Sequence, residues 1–258
     1  MKEVTVKEIA KMIDHSLLAQ TLTEAQMLEG CKVAIEQDVA SVCVKPYHVA
    51  SAAKAVQGTD VLCGAVIGFP HGNNTLEIKL AETKQVIKDG AIEVDMVVNL
   101  AAVAEKNWDF LTKEIKAVTD LCHENDAIVK VIFATDLIND EAIIKLCEIC
   151  TEVKADFVKT STGYNFVKTE CGNFYTYSGA TDHVMKLMRK HSGPEVRTKA
   201  AGCIRGLKGF LNVLAMGGSR VGTGQTVAIV EEAKKYADEN GVINAPADLQ
   251  PEQGPAGY

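Results

Sequence analysis

Short apolar runs alternate with longer amphipathic stretches along nearly the whole chain. The short runs are rich in Val, Ile and Ala and read as buried strands. The longer ones repeat apolar residues at three- and four-residue spacing and read as helices. Strands are predicted at 13–18, 39–44, 61–67, 91–98 and 127–133, at Lys159, at Lys199, and at 219–221. Helices are predicted at 3–12, 23–38, 47–57, 75–89, 107–125, 139–153, 180–191, 206–216 and 228–239, with a loop over 163–179. Strands separated by helices must pair in parallel. Eight such units close most naturally into a (β/α)8 TIM barrel. An open doubly wound sheet is the alternative, but it would want a glycine fingerprint after the first strand, and none is present. Residues 1–243 are therefore expected to form one barrel domain and residues 244–258 a tail. The final stretch holds three of the six prolines and no apolar period, the pattern of a flexible end.

Composition narrows the functional classes. A chain of 258 residues with 47% hydrophobic content can bury one large core. A net charge of −7 and a pI near 5.4 argue against a nucleic acid or an anionic membrane as partner. No apolar stretch approaches the roughly 18 residues of a membrane span. Met1-Lys2-Glu3-Val4 mixes charges from the start, unlike a signal peptide, so a cytoplasmic protein is expected. The eight cysteines are scattered through apolar segments, and most read as reduced core residues. Cys147-x-x-Cys150 has no second pair to complete a metal site.

Two lysines point to a chemistry. In Phe157-Val158-Lys159-Thr160-Ser161-Thr162-Gly163 a strand hands over to a loop at Lys159. Taken alone, Lys159 reads as a strand-end lysine reaching for water. Thr198-Lys199-Ala200-Ala201-Gly202 repeats the form. If both strands share a sheet, the ammonium groups can meet. At roughly 6 Å and an effective dielectric near 20 they repel by about 3 kcal/mol. Burial adds to that, and a fall from about 10.4 to about 7 would leave half the amine neutral at pH 7. A neutral lysine in a dry pocket is what Schiff-base chemistry with a carbonyl requires.

Barrel chemistry sits at the C-terminal strand ends. The polar residues there are Asp14, Cys43, Lys45, His71, Asp95, Asn99, Lys130, Lys159 and Lys199. Asp95 reads either as the counter-ion of a lysine or, in the functional reading, as part of a proton relay. Gly202-Cys203-Ile204-Arg205-Gly206 and Gly222-Thr223-Gly224 follow the last two strands, where barrels often hold phosphate on backbone N–H groups. Gly163 belongs to the same rim.

These stretches, together with Ile13-Asp14-His15-Ser16-Leu17-Leu18, Val42-Cys43-Val44-Lys45-Pro46, Gly68-Phe69-Pro70-His71-Gly72, Glu93-Val94-Asp95-Met96-Val97 and Lys130-Val131-Ile132, run in the order found in the deoxyribose-phosphate aldolases, which the chain resembles over nearly its whole length. Those are class I aldolases, a kind of carbon–carbon lyase. The resemblance implies a barrel without metal or organic cofactor. It implies reversible cleavage of 2-deoxy-D-ribose 5-phosphate to D-glyceraldehyde 3-phosphate and acetaldehyde. Lys159 would form the Schiff base, Lys199 would depress its pKa, and Asp95 would assist proton transfer through water. Asp14, Cys43 and Thr160 would lie at the substrate, and Gly163, Gly202, Arg205 and Gly222 near its phosphate. Tyr258, the last residue, matches a C-terminal tyrosine that helps move a proton in some relatives. The implied partners are a small sugar phosphate and an aldehyde, with a homo-oligomer possible because relatives are often dimers or larger.

The sequence departs from the family pattern at Ala134, where many relatives are acidic, and at Cys203 and Gly224. The 173–179 loop is also enlarged. The lysine machinery is intact and the phosphate grip altered. Two rival readings therefore stay open: a related barrel aldolase acting on a different or non-phosphorylated aldehyde, and a non-catalytic sugar-phosphate-binding barrel.

Overall fold

The barrel strands present mainly apolar residues outward, and most of them carry polar or charged residues inward, in the computed structural model, which describes residues 3–165, 167–168, 175–176 and 178–244. The strands are β1 (Ile13–Leu17), β2 (Ser41–Val44), β3 (Leu62–Ile67), β4 (Glu93–Val97), β5 (Ile128–Ile132), β6 (Phe157–Lys159), β7 (Val167–Lys168), β8 (Tyr175–Thr176), β9 (Arg197–Ala201) and β10 (Arg220–Thr223). All but β7 and β8 close a parallel barrel in the order β1-β10-β9-β6-β5-β4-β3-β2. This is the predicted (β/α)8 architecture.

Ten α-helices are present among the described residues: α1 (Val6–Ala10), α2 (Glu24–Glu36), α3 (Val49–Val56), α4 (Leu76–Lys88), α5 (Leu100–Ala104), α6 (Trp108–His123), α7 (Asp140–Glu152), α8 (Asp182–His191), α9 (Leu207–Ala215) and α10 (Thr226–Lys235). Their starts follow from local sequence. Thr23 and Gln26 form a capping box on α2, each side chain accepting the other residue's N–H. Thr75, Asn139 and Thr181 cap α4, α7 and α8 through their side-chain oxygens.

Strand alternation separates two interiors. Ile13, Val42, Ala65, Val94, Met96, Val129 and Val131 point outward and pack with helix residues such as Met27, Leu111, Ile115, Leu146 and Phe210 in the main apolar core. Most of the apolar burial lies there, between sheet and helices. The inward positions include Asp14, Ser41, Glu93, Asp95, Lys130, Lys159 and Lys199, all buried.

Four differences from the predicted elements stand out. Helix α5 has no counterpart among the predicted elements, because Leu100-Ala101-Ala102-Val103-Ala104 is too short to show a period; Asn99 caps it by accepting the Ala102 N–H at 3.1 Å. Helix α1 is one short segment rather than a ten-residue helix. Within the predicted 163–179 loop, β7 and β8 pair antiparallel. Finally, β10 continues through Gly222, which was expected as loop, and pairs there with Asp14 of β1. The chain end returns to the start: the Val6 N–H donates to Gly241 at 3.0 Å and the Ile243 N–H to Val4 at 2.9 Å. Residues 245–258, most of the expected tail and Tyr258 with it, lie outside the described residues.

A second buried ion pair supports the strand that carries Asp95. Lys79 of α4 donates to Glu114 of α6 at 2.7 Å and to the Val97 carbonyl at 2.7 Å. The other Glu114 oxygen accepts the Asn99 N–H at 3.0 Å. Both side chains are fully buried. Lys79→Met is expected to strand Glu114 and lower unfolding free energy in urea by about 3–5 kcal/mol. Lys79→Met paired with Glu114→Leu should recover much of the loss.

Candidate active site

Strand register brings the two lysines together. β6 and β9 are neighbours, and Lys159 lies directly opposite Lys199. Both therefore point to the same side of the sheet, into the barrel. On the other flank, Asp95 of β4 is paired with Lys130 of β5. Asp95 becomes the hub: one of its oxygens accepts from Lys159 and from Lys199 at 2.7 Å each, and the other from Lys130 at 2.8 Å. The two amines that share one oxygen can be no further apart than those two bonds laid end to end.

The remaining charges complete a closed network. Lys199 also donates to Asp14. Lys130 donates to Glu93 at 2.6 Å and lies 3.3 Å from Asp14. Arg220 donates to Asp14 at 2.6 Å and approaches Glu93 at 3.3 Å. Ser41 donates its hydroxyl to Asp14 at 2.6 Å. Beneath, the Arg197 guanidinium stacks 3.9 Å over the Phe157 ring and closes the floor.

Among the described residues this interior holds four basic side chains (Lys130, Lys159, Lys199, Arg220) and three carboxylates (Asp14, Glu93, Asp95). A surplus buried charge is expensive, and the network balances when one amine is neutral. The contacts single out Lys159. It has one carboxylate partner, whereas Lys199 and Arg220 have two and Lys130 three.

The titration directions agree. Burial lowers the Lys159 pKa; Asp95 opposes that and Lys199 adds to it. Burial would also lower Lys199, but Asp14 and Asp95 outweigh it and raise the amine. Lys130 is held well above its ordinary value by Asp14, Asp95 and Glu93 against the same burial. Burial would raise the Asp95 carboxyl, but Lys130, Lys159 and Lys199 hold it below the usual carboxylate range. Like-charge repulsion from Lys199 is not the leading cause, contrary to the expectation from sequence. Desolvation is the larger cause, because Asp95 lies between the amines and offsets part of their repulsion.

The other predicted residues divide. Cys43 is buried beside the network, and burial pushes its thiol up to about 11. Asp14 lies within the ion network rather than on an open pocket wall. The Thr160 hydroxyl pairs with the Ala201 carbonyl and N–H at 3.1 Å each, bridging β6 to β9. Gly222 sits against Lys199: a Cβ there would come 3.2 Å from Lys199 Cε. Gly163 and Gly202 take positive φ, and so does Cys203 at 62°, a backbone region unusual for a side-chain-bearing residue. Arg205 is half-buried on the same rim. Behind the 202–206 loop, the first N–H of α9, on Leu207, donates to Glu232 at 2.7 Å. Lys45 donates to the Ala19 carbonyl at 2.7 Å, Asn99 caps α5, and His71 is exposed. Cys147 and Cys150 are buried along α7. Among the described residues no group of three His, Cys, Asp or Glu is placed to hold a metal, and no helix is long and apolar enough to cross a membrane.

Glu93 and Arg220 were not picked out from sequence as site residues. Glu93 had a signal: it lies two residues before Asp95 on one strand and shares its face. Arg220 lay in a predicted strand too short to show a face.

A closed parallel barrel enclosing a buried amine within a carboxylate network is a scaffold fit for lysine–carbonyl chemistry. Residues 8–245 match the DeoC/LacD family aldolase model, and the chain belongs to that family. It is 46% identical over 235 residues to the deoxyribose-phosphate aldolase of Rhodopirellula baltica, covering 91% of this chain and 93% of that one. It is 44% identical over 227 residues to that of Clostridium tetani, covering 88% and 100%. A solved tetrameric deoxyribose phosphate aldolase from Aeropyrum pernix superposes with a TM-score of 0.78 at 25% identity, covering 88% of this chain and 91% of that one.

Proposed function

We propose that the protein cleaves 2-deoxy-D-ribose 5-phosphate reversibly to D-glyceraldehyde 3-phosphate and acetaldehyde through a Schiff base on Lys159. The observation that carries this reading is the charge imbalance of the barrel interior, which is relieved when Lys159 is neutral. The neutral amine adds to the sugar aldehyde and water leaves, giving an iminium. The hydroxyl on the third carbon loses its proton, the bond between the second and third carbons breaks, and its electrons pass to the iminium nitrogen. D-glyceraldehyde 3-phosphate departs, leaving an enamine. A proton reaches the enamine carbon, Asp95 holding the water that delivers it. Water then hydrolyses the iminium, releasing acetaldehyde and the amine. Lys199, kept charged by Asp14 and Asp95, disfavours a second positive charge at Lys159.

Relatives named for the same activity support the substrate. From the Aeropyrum pernix structure we carry over the expectation of a multi-copy assembly. A second reading, a non-phosphorylated aldehyde substrate, is favoured by Glu232 on the first amide of α9, where a phosphate would meet a carboxylate. Comparing turnover of deoxyribose and its 5-phosphate tests this. A strong preference for the phosphate supports the first reading, and a negligible one supports the second.

Lys199→Leu removes a neighbouring cation and leaves Asp95 freer to pair with Lys159, so both effects raise the Lys159 pKa. The acidic limb of the pH–rate profile is expected to move to higher pH. An unchanged limb would contradict this account of how Lys199 acts.

A further inference from the structure

One wall beside the amine takes no part in these steps. Leu18, Cys43 and Val66 form an apolar cluster apart from the main core, with Phe69 and Tyr164 packed against it. Val66 lies opposite Asp95 in the β3–β4 register, and Asp95 holds Lys159, so the cluster borders the reactive nitrogen. Tyr164 closes it. Its hydroxyl donates to the Leu18 carbonyl at 2.7 Å, joining segments 146 residues apart. Its ring meets Phe69 edge to face, with centroids 5.5 Å apart.

Leu18, Val66, Phe69 and Tyr164 also line a side cavity of about 290 Å³, the small end of the range for ligand pockets. The two charged groups on its rim are engaged elsewhere. Lys45 donates to the Ala19 carbonyl at 2.7 Å, and the Glu82 carboxylate accepts the Gly68 N–H at 2.6 Å. What remains is a chiefly apolar space suited to a short alkyl chain.

We propose that Tyr164 is a specificity-determining residue: anchored by Leu18 and Phe69, it separates the space around Lys159 from this cavity and restricts the aldehyde condensing with the amine to a short one. The inference rests on the Schiff-base reading above. When the amine adds to an aldehyde and water leaves, the aldehyde's carbon chain begins one bond from the lysine nitrogen. A chain longer than that of acetaldehyde must run along this wall, and removing the phenol ring opens the cavity to it.

The test compares borohydride trapping of acetaldehyde and of butanal on the full-length protein, with the adduct on Lys159 quantified by mass mapping. Borohydride supplies the hydride that reduces the C=N bond to a secondary amine. Tyr164→Ala is expected to raise the butanal-to-acetaldehyde trapping ratio by about tenfold, the scale that two newly buried methylenes supply. Tyr164→Phe keeps the ring but frees it from Leu18, and should shift the ratio the same way by a few-fold. A ratio within about twofold of wild type in both variants overturns the proposal. Failure of wild type to trap acetaldehyde on Lys159 would instead overturn the Schiff-base reading beneath it.

Discussion

Lys159→Ala is expected to abolish the acetaldehyde adduct and to lower turnover of 2-deoxy-D-ribose 5-phosphate by roughly 10⁴- to 10⁶-fold, the scale seen when a covalent nucleophile is removed. Among the described residues the neighbouring amines are poor replacements. Lys199 and Lys130 lie in the same network but stay charged, each tied to two or more carboxylates. Folding should survive, because a neutral Lys159 adds no charge to the balance, and without it the three cations Lys130, Lys199 and Arg220 still face three carboxylates. Urea unfolding of Lys159→Ala is therefore expected near or above the wild-type midpoint. Loss of activity without loss of stability would separate a chemical role from a structural one.

Asp95→Asn should do the opposite and damage both. It leaves Lys130, Lys159, Lys199 and Arg220 facing Asp14 and Glu93 alone. Breaking a buried ion network by removing one partner costs about 3–5 kcal/mol. Activity should fall by about 10²- to 10⁴-fold through the lost proton relay. The pH dependence gives a further check. Without Asp95 the buried amines bind protons less readily in the folded state than in the unfolded one, so stability rises with pH through the lysine range. The deficit of Asp95→Asn should therefore shrink toward alkaline pH. In the wild-type chain Asp14 and Asp95 are depressed, so their contribution is present above the ordinary carboxylate value and is lost as pH falls below it. Wild-type stability in the variant would contradict the hub role.

Much of this was legible along the chain. The alternation of short apolar runs and helical stretches is a local property, and it carried the eight strands and the barrel. Lys159 and Lys199 stood out because each ends an apolar run, where a charge needs a reason. What the chain order hides is who faces whom. The surplus of one cation appears only when β6, β9 and β10 lie side by side, because Arg220 then joins a ring of residues drawn from distant segments. Gly222 misled for a related reason. Glycine near threonine reads as a turn, whereas here the missing side chain leaves room for Lys199 inside a strand. The Lys79–Glu114 pair was invisible because each residue sits on its own helix, and only the packing of α4 on α6 joins them.

The claim beneath the mechanism is that one barrel amine gives up its proton more easily than an ordinary lysine, while its neighbours hold theirs more firmly. The rate of borohydride trapping with acetaldehyde, measured as a function of pH and assigned to Lys159 by mass mapping, reads that proton directly. A midpoint below the ordinary lysine value of about 10.4, with the adduct confined to Lys159, is the expected result. A midpoint at that ordinary value, or an adduct carried by Lys199 or Lys130, would contradict it.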